Sequence, residues 1–269
     1  MELQENSVII DDKLDKMLET ELGGHFTHAY CTAGECEVTF NGQTFTLSEG
    51  GCMIIIANRL VSRFVPSEDF KVTVIYVDES FLQACTQHSN YGTHGGLALY
   101  INPIMRLTDE ERKICQRGFE NVCYRMKHPH RFFHGDEIMA ALQQLFIDFY
   151  ECHARIEGEV EISTQAVQVI MRFMELLDRG DYRKNREVAY YADKLCVTPK
   201  YLSEVCKKVS GFSANSWINR FAAIDLVHLL KDRTLSLTDI ADMFDFSSQS
   251  HFSRFVQNNL GQKPSAFRS

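Results

Sequence analysis

No stretch of the 269-residue chain approaches the run of apolar residues, about 20 long, that a membrane-spanning helix needs. The opening Met1-Glu2-Leu3-Gln4-Glu5 lacks the basic residues that begin a secretory leader. Nine cysteines are present, an odd number, and no two form a Cys-x-x-Cys pair; Cys31 and Cys36 are the closest in sequence. Scattered thiols of this kind fit reduced, buried small hydrophobes in a cytoplasm better than a disulfide framework, with a redox pair as the alternative. Positive charge is also in deficit: 28 Lys and Arg stand against 36 Asp and Glu, a net charge of −8. That balance argues against indiscriminate coating of nucleic acid. The expectation is a cytoplasmic protein with no membrane partner, and 269 residues suit two domains.

What is present is a repeat. Ala192-Asp193-Lys194-Leu195-Cys196-Val197-Thr198-Pro199, then Leu202 and Gly211, recurs as Ala241-Asp242-Met243-Phe244-Asp245-Phe246-Ser247-Ser248, then Phe252 and Gly261. The offset is 49 residues at the alanines and 50 from Leu202/Phe252 onward, so one residue is inserted near the turn. A repeat of this size is a duplicated structural unit. Each copy reads as helix, tight turn, second helix, over about 187–209 and 236–259.

Start signals support both second helices. Thr198 is a good N-cap followed by Pro199 at the first helical position; Ser247 or Ser248 caps the equivalent helix. Ser236-Leu237-Thr238-Asp239 resembles a capping box, with an acidic N3 residue. Leu202, Val205 and Val209 face inward in one second helix, and Phe252, Phe255, Val256 and Leu260 in the other. Outward stand Lys200, Ser203, Glu204, Lys207 and Lys208, against Gln249, Ser250, Ser253, Arg254 and Gln257. Amides and guanidinium groups reach base edges bidentately while Ser and Lys meet phosphates, so this face suits a major groove. The bland alternative is a helical repeat packed on itself with its polar face merely solvated.

Ile240-Ala241-x-x-x-x-Phe246-x-x-x-Ser250-x-Phe252-x-Arg254, then Gly261-x-x-Pro264-x-x-Phe267-Arg268, resembles the signature of AraC/XylS-type transcription regulators over roughly residues 164–269. The resemblance implies two helix-turn-helix units joined by a long helix, both recognition helices entering successive major grooves of double-stranded DNA. The joining helix falls at about Ala214 to Lys231, with Trp217, Ile218, Phe221, Ile224 and Leu229 in its core. The DNA-binding set it implies is Thr198, Lys200, Ser203, Glu204, Lys207, Lys208, Ser247, Ser248, Gln249, Ser250, Ser253 and Arg254. Asp245 stands where the pattern has Gly, Val256 and Gln257 replace a Phe-Lys pair, and Phe267 replaces Tyr. Losing Lys at 257 removes a phosphate contact, and Asp245 is asked to adopt the left-handed geometry Gly would supply.

Charge follows the same division. Residues 182–269 hold 13 Lys/Arg and 8 Asp/Glu, net +5, while residues 1–181 hold 15 and 28, net −13. Only the C-terminal third suits a polyanion.

From about Phe26 to Val77 the period is that of strands. Glu37-Val38-Thr39-Phe40 meets Thr44-Phe45-Thr46-Leu47 across Asn41-Gly42-Gln43, a hairpin signal, and Gly50-Gly51 turns the chain into Met53-Ile54-Ile55-Ile56. Lys71-Val72-Thr73-Val74-Ile75-Tyr76-Val77 closes the run. The segment resembles a cupin-type sensor barrel, which implies a small-molecule effector; Phe40, Phe45, Ile55 and Tyr76 lie on strands suited to lining its pocket. Metal-binding cupins carry a His-x-His pair with a following Glu and a later His. This segment has His25-x-x-His28 instead and no His between His28 and His88, so no metal, cofactor or catalytic residue is expected. His128-Pro129-His130 and His134 read as exposed turn residues.

Thr108-Asp109-Glu110-Glu111 is a capping box leading to Ile114, Phe119, Val122 and Met126; after Pro129 follow Ile138, Leu142, Leu145, Phe146 and Phe149. The second stripe is expected to extend beyond what one barrel covers, and the resemblance implies dimerisation through such helices. Glu157-Gly158-Glu159 reads as the hinge and Thr164 to Asp178 as a further helix.

The expectation is an α+β chain of two domains: an N-terminal cupin-like antiparallel β-barrel (1–103) with a helical dimerisation element (104–158), and a C-terminal all-α double helix-turn-helix (159–269). Its implied partners are double-stranded DNA, a small-molecule effector, a second copy of the chain and RNA polymerase. The competing readings are a cupin-type enzyme or ligand-binding protein with an appended helical interaction domain, and a helical adaptor. An enzyme would need a convergent metal or acid–base constellation within residues 20–80, and the sequence offers none.

Overall fold

Asn41 and Gly42 both adopt positive φ, 51° and 74°. A two-residue hairpin turn of the primed type demands that pair of angles. They join β3 (Glu35–Phe40) to β4 (Gln43–Ser48) with Phe40 opposite Gln43. The computed structural model describes residues 7–18, 22, 24–86, 99–130, 132–157 and 164–268. It divides into two units, Met1–Glu161 and Ile162–Ser269.

In the N-terminal unit β1 (Val8–Asp11), β2 (His25–Ala33), β5 (Cys52–Ile55), β7 (Lys71–Asp78) and β8 (Ile104–Met105) form an antiparallel sheet in the order β1-β7-β2-β5-β8. A second sheet, β4-β3-β6, is completed by β6 (Val61–Pro66). Among the described residues the strands thus pair as two antiparallel sheets, and no ladder closes them into the expected barrel. Register shifts at Cys31/Ala33 and Thr39/Phe40 bend the strands locally. Gly50 and Gly51 carry the chain from one sheet to the other. A Cβ on Gly51 would stand 2.8 Å from the Ser48 carbonyl oxygen, so the approach needs glycine.

Strand alternation gives the larger sheet two buried faces. Tyr30, Ile54, Ile75 and Val77 share one core with Phe119, Val122, Leu142, Leu145, Phe146 and Phe149 of the helices. Those helices are α1 (Glu79–Thr86), α2 (Asp109–Lys127) and α3 (His134–Glu157). Thr108 and Glu111 form the expected reciprocal capping box at the start of α2. Arg155 near the end of α3 donates to both Glu111 carboxylate oxygens at 2.6 and 2.8 Å. A Cβ on Gly118 would lie 2.7 Å from Leu145 Cδ1, so glycine lets α2 and α3 cross closely. One expectation is corrected here. The stripe Ile138, Leu142, Leu145, Phe146 and Phe149 does not outrun its own unit: every member is buried in it, because the two helices pack on the sheet as part of one core.

The C-terminal unit is helical: α4 (Thr164–Asp178), α5 (Val188–Lys194), α6 (Pro199–Ser210), α7 (Ala214–Lys231), α8 (Leu237–Met243) and α9 (Gln249–Leu260). Helix α7 spans the expected joining segment. Trp217, Ile218 and Phe221 are fully buried on it, while Ile224 and Leu229 are half-buried. Trp217 Nε1 donates to Ser210 Oγ at 2.8 Å, tying the start of α7 to the end of α6. Gly158 and Glu159 of the expected hinge, His88 and Met1–Glu5 lie outside the described residues.

Candidate functional site

The repeat is repeated in backbone detail. Val197 N–H donates to the Ala192 carbonyl at 2.9 Å, and Phe246 N–H to the Ala241 carbonyl at 3.0 Å. Between them Cys196 and Asp245 both occupy the left-handed region, at φ 55° and 51°. Asp245 therefore does adopt the conformation that glycine takes at little cost. Helices α6 and α9 are each 12 residues long and end on Gly211 and Gly261, at φ 76° and 74°. Between left-handed residue and cap the second copy carries one more residue: Thr198 accepts from Tyr201 N–H, Ser248 from His251 N–H. Ser248 is thus the cap, and Ser247 is the inserted position, its hydroxyl 3.2 Å from His251 Nδ1.

Each second helix buries one face. Leu202 and Phe252 are fully buried at equivalent positions, with Val205 and Cys206 in one copy and Val256 in the other. Val209, Phe255 and Leu260, expected inside, are half-buried. The opposite faces are matched: Lys200, Glu204, Lys207 and Lys208 are exposed on α6, and Gln249, Ser250, Arg254 and Gln257 on α9. Ser203 and Ser253 are half-buried at corresponding places; Thr198, Ser247 and Ser248 are exposed. Lys200 Nζ lies 3.9 Å from Glu204 with both side chains largely exposed. Such a pair contributes little to stability and leaves both groups available. Thr198 and Ser248 hydroxyls accept as caps, which leaves their O–H free to donate to a phosphate oxygen.

Two contacts tie the segment before α5 to the rest of this domain. Asp225 on α7, nearly buried, accepts from both Arg183 Nε (2.6 Å) and Nη2 (2.9 Å) and from the Tyr182 hydroxyl (2.9 Å). The carboxylate holds the Arg183 guanidinium above its ordinary pKa. Arg186, just before α5, donates through Nη1 to the carbonyls of Arg183 (3.0 Å) and Phe244 (2.5 Å) and caps the Phe246 ring at 4.3 Å. The first unit is thereby fastened to the turn of the second.

In the N-terminal unit Phe40, Ile55 and Tyr76 are fully buried and Phe45 is half-buried. None of the four lines the cleft of about 480 Å³ that opens between α2 and strands β1, β2 and β7. His28 is a core residue, stacked on Phe149 with ring planes 2° apart and 5.0 Å from the Phe146 ring centroid. Burial pushes its pKa down to about 4. Among the described residues no three His, Cys, Asp or Glu side chains gather as a metal site.

The profile of the AraC-like ligand binding domain matches residues 24–159, half of the chain, and a helix-turn-helix domain profile matches residues 191–269. The chain belongs to the AraC family. It is similar to the Msm operon regulatory protein of Streptococcus mutans, 24% identical over 111 residues, which are 41% of this chain and 40% of that protein. It is also similar to the regulatory protein PocR of Salmonella typhimurium, 30% identical over 77 residues, 29% of this chain and 25% of PocR. The alignments span from 25% to 63% of the curated relatives' lengths. A solved structure of unsaturated fatty acid bound ToxT from Vibrio cholerae aligns over 99% of this chain and 96% of its own, at 16% identity and a TM-score of 0.49.

As an AraC-family chain it departs from the pattern at positions the structure now explains. Val256 is fully buried, filling the place of a larger aromatic. Gln257 is exposed, and its amide donates to the Gly261 carbonyl at 3.3 Å, capping the end of α9. Phe267 is half-buried. Sequence reasoning missed Arg183, Arg186 and Asp225, whose partners lie 42 and 58 residues away. It also missed the cleft face of α2, where Gln116, Glu120, Cys123 and Lys127 recur at helical spacing beside the apolar stripe.

Proposed function

We propose that this AraC-family chain is a sequence-specific DNA-binding transcription regulator whose N-terminal unit binds a small-molecule effector. The observation that carries the reading is the pair of helix-turn-helix units with matched turns, caps and outward polar faces. Lys200, Ser203 and Glu204, and Gln249, Ser250, Ser253 and Arg254, face bases in successive major grooves. Lys207 and Lys208 meet the backbone, as do the hydroxyls of Thr198, Ser247 and Ser248. The +5 charge of residues 182–269 supplies the electrostatic attraction. Family membership and relatives named as regulatory proteins support the same reading.

The reading includes a cytoplasmic homodimer that contacts RNA polymerase and has no catalytic activity of its own. Dimerisation is assigned to α2, α3 and the turn between them, where Tyr124 and Ile147 on the helices and Phe132 and Phe133 in the turn stand exposed. An enzyme built on the N-terminal unit is not favoured, since His28 is sealed among aromatics rather than poised over a cavity.

Selection of genomic fragments by the purified full chain, followed by footprinting, tests the proposal. One monomer should protect two patches about 10–10.5 base pairs apart. Binding that does not weaken with salt, or no fragment enriched over random DNA, would overturn it.

A further inference from the structure

Matched position by position, the two helix-turn-helix units differ in charge. From Glu187 to Gly211 the first holds Lys194, Lys200, Lys207 and Lys208 against Glu187, Asp193 and Glu204, net +1. From Ser236 to Gly261 the second holds Arg254 against Asp239, Asp242 and Asp245, net −2. Each lysine of the first unit has a neutral counterpart in the second: Met243, Ser250, Gln257 and Asn258. All four lysines are exposed, and so are Asp239, Asp242 and Asp245. The domain divides the same way, with 10 Lys/Arg and 5 Asp/Glu in residues 182–235 against 3 of each in 236–269, so its whole +5 precedes α8. Two amides of α9 fold back on their own helix: Gln257 Nε2 donates to the Gly261 carbonyl at 3.3 Å and Asn259 Nδ2 to the Phe255 carbonyl at 2.9 Å. At the left-handed pivot of the turn the first unit has the thiol of Cys196 and the second the carboxylate of Asp245.

We propose that the two units divide the work on DNA: the first holds the duplex through its phosphates, and the second seats in its groove only where the bases match. The inference rests on the reading of the chain as a two-groove DNA-binding regulator. Phosphate attraction holds a protein on DNA of any sequence, at about 0.9 of salt slope for each phosphate neutralised. Lys207 and Lys208 supply it in the first unit, whereas a second unit of net −2 has no such attraction to offer. In a helix-turn-helix the first helix crosses the backbone and the start of the recognition helix meets phosphates. Asp242 lies near the end of α8 and Asp245 three residues before the Ser248 cap, so both carboxylates belong to that stretch. Like charges there repel, and base contacts must offset the repulsion. Arg254 and Gln249 provide them, the guanidinium fork being suited to guanine and the amide to adenine. Asp245 thereby sets specificity without touching a base. Cys196 meets the same turn geometry in the first unit, so the turn itself does not require the charge.

The test uses the full chain on three duplexes: the selected site, the site with its second half scrambled, and the site with its first half scrambled. Scrambling the second half should leave one protected patch and lower the affinity, while the salt slope stays within about half a unit of the full site's. Scrambling the first half should abolish both patches. Asp245→Asn keeps a residue that tolerates the left-handed turn, and should tighten the full site about threefold while leaving the second-scrambled duplex unchanged. Cys196→Asp places the carboxylate in the first unit and should weaken both duplexes alike. Should Asp245→Asn lower Tm, Asn258→Lys on the exposed face of α9 carries the same test: it should steepen the slope by about one on the full site and not on the second-scrambled duplex. Two patches on the second-scrambled duplex, a slope lower there by about one or more, or an equal response of the two duplexes to the second-unit variant would overturn the proposal. Enrichment of no fragment removes the regulator and this inference together. Enriched fragments that keep both patches on every duplex remove this inference alone.

Discussion

Arg186 spans 58 residues of sequence to donate to the Phe244 carbonyl at 2.5 Å while lying over the ring of Phe246. These two aromatics flank Asp245, the left-handed residue on which the second helix-turn-helix pivots. One side chain thus fixes the entry to α5 against the turn after α8.

Arg186→Met keeps the stem and removes the donors, and should cost about 1–3 kcal/mol of stability. Affinity should fall more on a two-groove site than on either half-site, because what loosens is the placement of α9 relative to α6. Arg186→Lys should not restore it, since a point ammonium replaces neither the fork nor the stacked plane. Denaturant titration with paired DNA titrations reads both effects; wild-type behaviour from Arg186→Met would remove the interlock.

Phe252 is fully buried with its ring centroid 5.4 Å from that of Phe246. Phe252→Ala should cost about 3–5 kcal/mol and abolish DNA binding through loss of the second unit. Calorimetry that shows an unchanged Tm would break the alignment of Phe252 with Leu202.

Gln249 and Lys208 should separate base reading from backbone contact. Gln249→Ala is expected to cost about 1–3 kcal/mol on the preferred site and to relax one or two base pairs. Lys208→Ala should weaken all sequences alike and flatten the salt slope by about one. Equal losses on specific and random DNA for Gln249→Ala would leave α6 as the sole specificity element.

His28 makes the N-terminal unit sensitive to acid. Burial depresses its pKa to about 4 in the folded chain against an ordinary 6.5. Between those values the unfolded chain binds the proton and the folded chain does not, so stability is full above pH 6.5 and is lost as pH falls toward 4. The loss attributable to this residue should reach about 3 kcal/mol. His153, buried and depressed to about 4 as well, acts in the same direction. Denaturation midpoints between pH 7.5 and pH 4.5 should fall less steeply for His28→Leu than for wild type; parallel curves would refute the assignment.

The parts legible in the sequence are those whose causes are local. Thr198-Pro199 and Ser236 to Asp239 specify helix starts through bonds that reach three residues, and Asn41-Gly42 specifies a turn through its own dihedrals. The choice between Ser247 and Ser248 needed coordinates, because the inserted residue makes both plausible caps. Helix α2 was half-read: Phe119 and Val122 mark its core stripe, but the adjacent polar stripe acquires meaning only when β1, β2 and β7 close a cleft over it. Arg186 was invisible for the same reason, since nothing in its neighbourhood names a partner 58 residues on. Whether two sheets close into a barrel likewise depends on pairings between distant strands.

Trp217 gives the molecule an optical consequence. It is the chain's one tryptophan, buried at the junction of α6 and α7 and edge-on to Phe212. Light absorbed by indole alone therefore interrogates α6 through the Ser210 bond, and reports on neither α9 nor the N-terminal unit directly. A shift in that emission on adding operator DNA would register α6 seating in its groove. A titration of the N-terminal unit that leaves the emission unmoved would show that its ligand binds without disturbing this junction.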